Sequence, residues 1–234
     1  MEFTKLASPS LKELFIKEIQ TLILSGKLPI GSKLPPEREL ATSMEVSRAV
    51  INSGIAELTR MGFLYIKPRV GTFVADYRKE GTLETFNAIM NYNGGILRDD
   101  EIKSILELRI SLDILAINLC VPQITDEQIE ILHTHLTHIK DGTNFEQAAE
   151  HAFAFQHDLA YFSGNMLLPL LFSSFKTLVI TLWVRFCSLH GIETLYQNTL
   201  ELFTEIQKRN TQKAIESITN TVENTIYGAR KIYF

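Results

Sequence analysis

The feature that most constrains the fold is the stretch 31–74, in which two short amphipathic helices precede a basic hairpin. The first helix places Leu40 and Met44 on one apolar face. The second begins near Ser47, whose hydroxyl can cap it, and Gly62 ends it. Two short segments rich in branched and aromatic residues then flank a cationic turn. This order predicts a winged helix-turn-helix, whose second helix presents its N-terminal residues to base edges in the major groove.

The same stretch resembles the N-terminal domain of the GntR family of bacterial transcription regulators. The similarity covers roughly residues 10–76 without a gap and rests on LPPEREL, the Ser-Arg pair of VSRAV, and GTFV taken together. The resemblance implies that the family's DNA-contacting positions fall on Arg38, Ser47, Arg48, Lys67, Arg69 and Gly71. Asn52 stands where the family often has an arginine, so it can read an adenine edge but cannot neutralise a phosphate.

The charge of the chain is divided unevenly along its length. The whole chain of 234 residues has a net charge of −4, which by itself argues against nucleic-acid binding. Residues 1–77 hold ten Lys and Arg against eight Asp and Glu, for +2, whereas residues 78–234 hold thirteen against nineteen, for −6. We therefore expect only the N-terminal end to meet DNA.

The sequence predicts a mainly α fold with two domains. Residues 1–77 form the winged helix-turn-helix domain, with an additional helix at 8–24 that packs on it, and the polar residues 78–82 form a linker. Residues 83–234 form an all-helical bundle of six or seven helices. Glycine, asparagine and proline separate most of the predicted helices, which are 83–92, 99–120, 125–140, 144–163, 166–189, 192–208 and 210–230.

The helical part resembles the FCD domain, the effector-binding domain of the FadR-like branch of the same family. Three stretches carry the resemblance: ELRISLD at 107–113, FQHDLAYFSGN at 155–165, and the last two helices. Many members hold a divalent metal with one Asp and three His. By position those ligands fall near Ala152, Gln156, Thr199 and Thr221, none of which is a carboxylate or an imidazole. We therefore expect no metal and no other cofactor.

The resemblance also implies a ligand pocket inside the bundle. Arg109 falls where the branch presents an arginine to its effector, and a guanidinium inside a helical domain pairs well with a carboxylate or phosphate. Asp113, one turn later, could instead hold Arg109 in a structural salt bridge, and the two roles are compatible. Gln156, Thr199 and Thr221 would add neutral polar groups. The expected effector is a small organic acid or a fatty acyl-CoA, which the best-known metal-free relatives sense.

The histidines support a rival interpretation, a metal-binding sensor. His133, His135 and His138 are close in sequence, but only His135 and His138 share a helical face. His157 lies one residue beyond a mapped ligand position, so a shift of the alignment by one residue would make it a ligand. We favour solvated surface histidines and keep His157 as the residue that would restore a metal site.

Two further segments bear on location. Residues 166–187 are long and apolar enough to span a membrane, but Lys176 and Arg185 interrupt them, which favours a buried central helix and no membrane contact. The two cysteines suggest no disulfide framework, and the first residues lack a signal-peptide pattern. We therefore expect a cytoplasmic protein.

Together these patterns predict a homodimeric transcription regulator that binds a palindromic operator in double-stranded DNA and whose operator affinity changes with a bound effector. An enzyme in the helical domain is the first alternative, but the domain has no Ser/His/Asp set, Gly-rich phosphate loop or HExxH pair. A protein-interaction module is the second alternative, and the cations Arg48, Lys67 and Arg69 argue for phosphate instead.

Overall fold

A computed structural model describes residues 9–90 and 99–232, and the chain divides into two compact units, Met1–Gly95 and Ile96–Phe234. The described elements of the first unit are α1 (Leu11–Leu24), α2 (Glu37–Ser43), α3 (Arg48–Arg60), β1 (Leu64–Lys67), β2 (Gly71–Val74), α4 (Tyr77–Glu80) and α5 (Leu83–Met90). Those of the second unit are α6 (Asp99–Cys120), α7 (Asp126–Lys140), α8 (Phe145–Phe162), α9 (Leu168–His190), α10 (Ile192–Gln207) and α11 (Thr211–Ile226).

The first unit is a winged helix-turn-helix, as the sequence predicts. Ser47 caps α3 by accepting a hydrogen bond from the Val50 amide at 3.3 Å, so the helix starts at Arg48. The face of α3 that carries Ile51 and Leu58 is fully buried. The wing is the antiparallel pair β1–β2, in register with Leu64 opposite Val74. The burial of one face of α3 leaves its opposite face exposed.

Helix α1 packs across α3 in the first unit. A capping box at Ser10 and Glu13 fixes its start, so the helix predicted from residue 8 begins at Leu11; residue 8 itself lies outside the described residues. Phe15 of α1 lies against Gly54 of α3, and a Cβ at Gly54 would fall 2.2 Å from Phe15 Cδ1. Glycine at this position therefore allows the close approach of the two helices.

Replacing Gly54 with alanine is expected to lower the free energy of unfolding of the first unit by about 1–3 kcal/mol, because the new methyl group displaces the buried Phe15 ring. Calorimetry of the whole chain measures this as a lower melting temperature. Ser53→Ala, one position earlier on the exposed face of α3, is the matched control and should leave it unchanged. Phe15→Leu in the Gly54→Ala background should cost less than the sum of the two single changes; full additivity would contradict the packing argument.

The end of the first unit differs from the predicted domain boundary at residues 78–82. Helix α5, which the sequence assigned to the helical domain, belongs to the first unit. Its Thr85 hydroxyl donates to the carbonyl of Met61, and its Glu84 lies 2.7 Å from the Arg60 guanidinium. Part of the predicted linker forms the one-turn helix α4. Helical periodicity identifies an apolar face but not the core against which that face packs. The last two residues of the predicted helix 83–92 lie outside the described residues.

The second unit is helical throughout its described residues, and its helices lie close to the predicted ranges. Thr125 caps α7 in a capping box with Gln128, as its sequence spacing predicts. Among the described residues, α9 is the one helix long and apolar enough to cross a membrane, a property it shares with core helices of soluble proteins. Phe172, Leu178 and Phe186 of α9 are buried within the unit, so α9 supplies much of its core.

Candidate nucleic-acid interface and ligand cavity

The exposed N-terminal end of α3 carries the polar side chains that the sequence proposes for DNA contact. Arg48 and Asn52 are exposed there, and Arg38 is exposed on α2. Within the described parts of the chain, neither Arg38 nor Arg48 forms an ion pair with one of the protein's own carboxylates. Both guanidinium groups are therefore available to phosphates or base edges.

Asn52 is held by the neighbouring helix. When the Asn52 amide is oriented so that both its oxygen and its nitrogen have suitable neighbours, the nitrogen donates to Glu37 Oε2 at 2.6 Å. This contact links α3 to the first turn of α2. Contact with an adenine edge therefore requires the Asn52 amide to leave the Glu37 carboxylate.

The wing presents its cations around a pair of stacked aromatic rings. The rings of Tyr65 and Phe73 stack with centroids 5.5 Å apart, and Lys67 Nζ lies 5.0 Å from the Phe73 centroid. Arg69 stands exposed at the tip with φ +64°, a conformation that glycine or asparagine adopts more easily. The rings restrict the position of Lys67, so its charge is held close to the strand.

The backbone conformation and the nearby Lys33 side chain both favour glycine at position 71. Its φ is +143°, and a Cβ there would lie 2.6 Å from Lys33 Cε. Lys33 pairs with Phe73 at the edge of the wing, which adds an exposed cation that the sequence reasoning missed. The segment GSKLP gave no strand signal because its contact with β2 is a single isolated bridge.

The second unit encloses a cavity between five of its helices. Its walls bring together Arg109, Gln156, Thr199 and Thr221, the four residues that the FCD resemblance proposed. The space open to the centres of water molecules is about 60 Å³. A second, apolar space of about 10 Å³ shares Arg109 and Gln156 with it. The two spaces therefore adjoin at Arg109, which is the one cation among the described residues of their walls.

Arg109 is the charged group of this cavity. Its guanidinium carbon lies 4.0 Å from the ring centroid of Trp183, and its side chain is only 9% exposed. Nε lies 3.6 Å from Asp113 Oδ2, so the structural salt bridge that the sequence allowed is present. Burial lowers the pKa of Arg109 while Asp113 opposes this, and a guanidinium keeps its charge in such surroundings.

The neutral polar groups of the cavity differ in their free hydrogen-bonding capacity. Gln156 Oε1 is buried and accepts no hydrogen bond from the described residues. The Thr199 hydroxyl donates to the Leu195 carbonyl at 2.9 Å and can still accept. Asn198 Oδ1 accepts from the Arg230 guanidinium at 2.5 Å. An orphaned buried acceptor such as Gln156 Oε1 is satisfied by a ligand or a water that donates to it.

The positions of the family's metal ligands surround the same cavity but do not form a metal site. Ala152 offers no donor atom, and Gln156, Thr199 and Thr221 offer only amide or hydroxyl groups. These groups bind transition metals weakly. No cluster of three or more His, Cys, Asp or Glu suited to a metal occurs among the residues that the structure describes. The residues therefore do not fit the metal that many members of the branch carry.

The histidines lie outside both cavities. His157 donates to or accepts from Ser173 Oγ at 3.1 Å and lines neither space. His135 Nε2 lies 2.9 Å from Asp158 Oδ2, and the rings of His138 and His151 are 4.6 Å apart. Burial and the two neighbouring imidazoles lower the pKa of His151. His133 and His138 are exposed, in agreement with the surface role that the sequence favours.

The two cysteine thiols are the next candidates for reactive groups. Cys120 and Cys187 are both buried and free, and burial raises the pKa of their thiols to about 12 and about 11. Thiols with such pKa values are poor nucleophiles.

An exposed cationic helix-turn-helix and wing, in one chain with a helical unit that surrounds an arginine-containing cavity, is the architecture of ligand-responsive DNA-binding regulators. Residues 12–74 match the family described as "Bacterial regulatory proteins, gntR family", and residues 104–224 match the FCD domain. The chain belongs to the GntR family, in the branch that carries an FCD domain. Members of this family are transcription regulators and not enzymes.

Individual relatives agree with this assignment. An uncharacterized HTH-type transcriptional regulator of Mycobacterium tuberculosis is 35% identical over 62% of this chain and 55% of its own length. The fatty acid metabolism regulator protein of Shewanella pealeana is 30% identical over 69% of this chain and 66% of its own length. The chain thus spans less than two thirds of the length of either relative. Among solved structures, Lar of Listeria monocytogenes has the same fold, with a TM-score of 0.64 at 16% identity over 96% of this chain and 98% of that one.

Proposed function

We propose that this protein is a ligand-responsive transcription regulator that binds operator DNA through its first unit and a small organic anion in the cavity of its second unit. The observation that carries the proposal is Arg109, a buried guanidinium at the wall of a cavity whose amide and hydroxyl groups suit an organic anion better than a metal. The exposed Arg48 and the wing cations supply the DNA contacts. Such a protein works in the cytoplasm, where the operator is.

The operator is a palindrome, and the protein binds it as a homodimer. Support comes from helix α6, where Leu108, Leu112, Leu115 and Leu119 recur at spacings of four, three and four residues. Leu108, Leu115 and Leu119 remain 38–44% exposed in the single chain. A stripe of leucines at this spacing packs against a second copy of itself in paired helices. Two identical subunits related by a twofold axis read two identical half-sites.

The effector is a small carboxylate with a hydrogen-bond donor near its charge. The carboxylate pairs with Arg109, and the donor satisfies the orphaned Gln156 Oε1. A space of about 60 Å³ holds on the order of five water molecules, which suits a metabolite of that size. A fatty acyl-CoA is the second candidate, and its support is that the Shewanella pealeana relative is named a fatty acid metabolism regulator protein.

Effector binding changes operator affinity by favouring one arrangement of the two DNA-binding heads over the other. The effector must therefore bind one state of the dimer more tightly than the other, and the operator responds by the same coupling free energy.

Selection of bound duplexes from a random DNA pool tests this function. We expect an enriched palindromic sequence, two protein chains per duplex in native mass spectrometry, and an affinity for it that falls steeply with salt because counterions are released. The same spectra identify any small molecule that remains bound in the second unit. Failure to enrich any sequence, or salt-independent retention, would refute the proposed DNA-binding function.

A further inference from the structure

The buried pair of Arg109 and Asp113 is incompletely satisfied. The two residues lie one turn apart on α6, and each is at least nine-tenths buried. Their closest atoms, Nε and Oδ2, are 3.6 Å apart, which is an ion pair without a short hydrogen bond. Asp113 Oδ2 has no hydrogen-bond partner among the described residues. Burial disfavours the ionised form of this carboxylate, and the nearby guanidinium of Arg109 favours it.

Arg109 stands between Asp113 and the cavity. Arg109 lines the cavity and Asp113 does not. Among the described residues, the other helices line the cavity with uncharged groups, which include Gln156 from α8, Trp183 from α9, Thr199 from α10 and Thr221 from α11. Arg109 is also the charged group that acts on the Asp113 carboxylate. An anion entering the cavity therefore competes with Asp113 for one cation.

We propose that the cavity takes up its anionic ligand together with one proton from the solvent, which Asp113 binds as the ligand carboxylate engages Arg109. This inference rests on the proposed effector site. Two carboxylates and one guanidinium in a desolvated space carry a net negative charge, and protonation of Asp113 restores neutrality. Asp113 is a positioning residue that acts on the ligand through Arg109.

The electrostatics of the free protein already favour this exchange. Burial raises the pKa of Asp113 to about 6, and the charge of Arg109 opposes the increase. A ligand that draws on the charge of Arg109 removes part of that opposition and raises the pKa of Asp113 further. At pH values above the pKa of Asp113 in the free protein, ligand affinity then falls by up to about tenfold per pH unit, because the ligand-bound state holds one proton more.

The only tryptophan in the chain reports on this pair directly, since Trp183 stacks on the Arg109 guanidinium. The experiment records Trp183 fluorescence of the full chain against pH, first alone and then with increasing acetate as the probe anion. We expect a transition with a midpoint near pH 6 in the free protein, and acetate moves that midpoint to higher pH. A midpoint that acetate leaves in place or lowers overturns the proposal.

Variants assign the transition to Asp113 rather than to the histidines of the same unit. Asp113→Asn should remove both the transition and its response to acetate; persistence of the transition in this variant overturns the proposal. If Asp113→Asn does not fold, the double variant Arg109→Met, Asp113→Leu replaces both charged side chains with apolar ones and should show the same loss. Operator retention is measured in parallel. If the wild-type protein retains the operator but acetate does not shift its midpoint, only the proton exchange is refuted. If acetate shifts the midpoint of a wild-type protein that does not retain the operator, the DNA-binding function is refuted and the proton exchange stands.

Discussion

Replacing Arg48 with alanine is expected to weaken binding to the selected operator by about one to two orders of magnitude, measured by gel retardation at fixed salt. Arg48 is the first residue of α3, its guanidinium is exposed, and it has no carboxylate partner among the described residues. The Arg48 side chain therefore stabilises the complex with DNA and does not stabilise the fold. Circular dichroism and the melting temperature should be those of the wild type.

The matched control for Arg48→Ala is Lys213→Ala, which removes one exposed cation from α11 in the second unit. The control should bind the operator as the wild type does, because a charge outside the DNA interface contributes little at physiological salt. If Arg48 contacts a phosphate, Arg48→Ala should release about one counterion fewer on binding and so show a weaker salt dependence. If Arg48 contacts a base, the variant should show a relaxed preference at one operator position. Wild-type retention by Arg48→Ala would remove Arg48 from the interface.

The second large effect is expected from breaking the buried pair on α6. Asp113→Leu leaves the Arg109 guanidinium buried without a counter-charge, and we expect it to lower the free energy of unfolding of the second unit by about 3–5 kcal/mol. The double variant Arg109→Met, Asp113→Leu removes both charges and should lie within about 1 kcal/mol of the wild type or above it. Urea unfolding followed by Trp183 fluorescence measures these changes for the second unit alone, because that unit holds the only tryptophan.

The pH dependence of this stability has a definite sign. The pKa of Asp113 is about 6 in the folded protein, above its ordinary value of 3.8, so the folded state binds the proton more tightly than the unfolded one. The part of the stability that comes from protonation of Asp113 is therefore fully present below pH 4 and is lost as the pH rises through 6. The double variant should lack this decrease. If the costs of Arg109→Met and Asp113→Leu, measured singly, add up to that of the double variant, or if the double variant keeps the same pH dependence, the two charges are not coupled.

Local patterns in the sequence were enough to define the elements of both units. Ser47, Gly62 and Thr125 mark helix ends through hydrogen bonds or backbone angles that involve only residues a few positions away. The wing follows from two branched, aromatic segments around a turn. The positions around the cavity came from the FCD resemblance, and the structure places Arg109, Gln156, Thr199 and Thr221 on its walls.

Aromatic periodicity could not separate core from cavity. Aromatic residues recur at helical spacing on α8 and α9, and the structure divides them: Phe155, Trp183 and Phe186 line the larger space, whereas Phe153, Phe172 and Phe175 line the smaller one. Phe162 lines neither. Helical spacing defines a face of each helix, but the gap between faces depends on how several helices pack together.

The sequence by itself determined the winged helix-turn-helix, the helical character of the second unit and the absence of metal-binding side chains at the family's ligand positions. These properties depend on residue identity and on hydrogen bonds between near neighbours. Only the tertiary structure decided that α5 packs with the first unit, that Asn52 is held by Glu37 and that Gly54 lies beneath Phe15. It also decided that Arg109 lies between Asp113, Trp183 and an open cavity, since contacts between distant segments arise only when separate helices pack together.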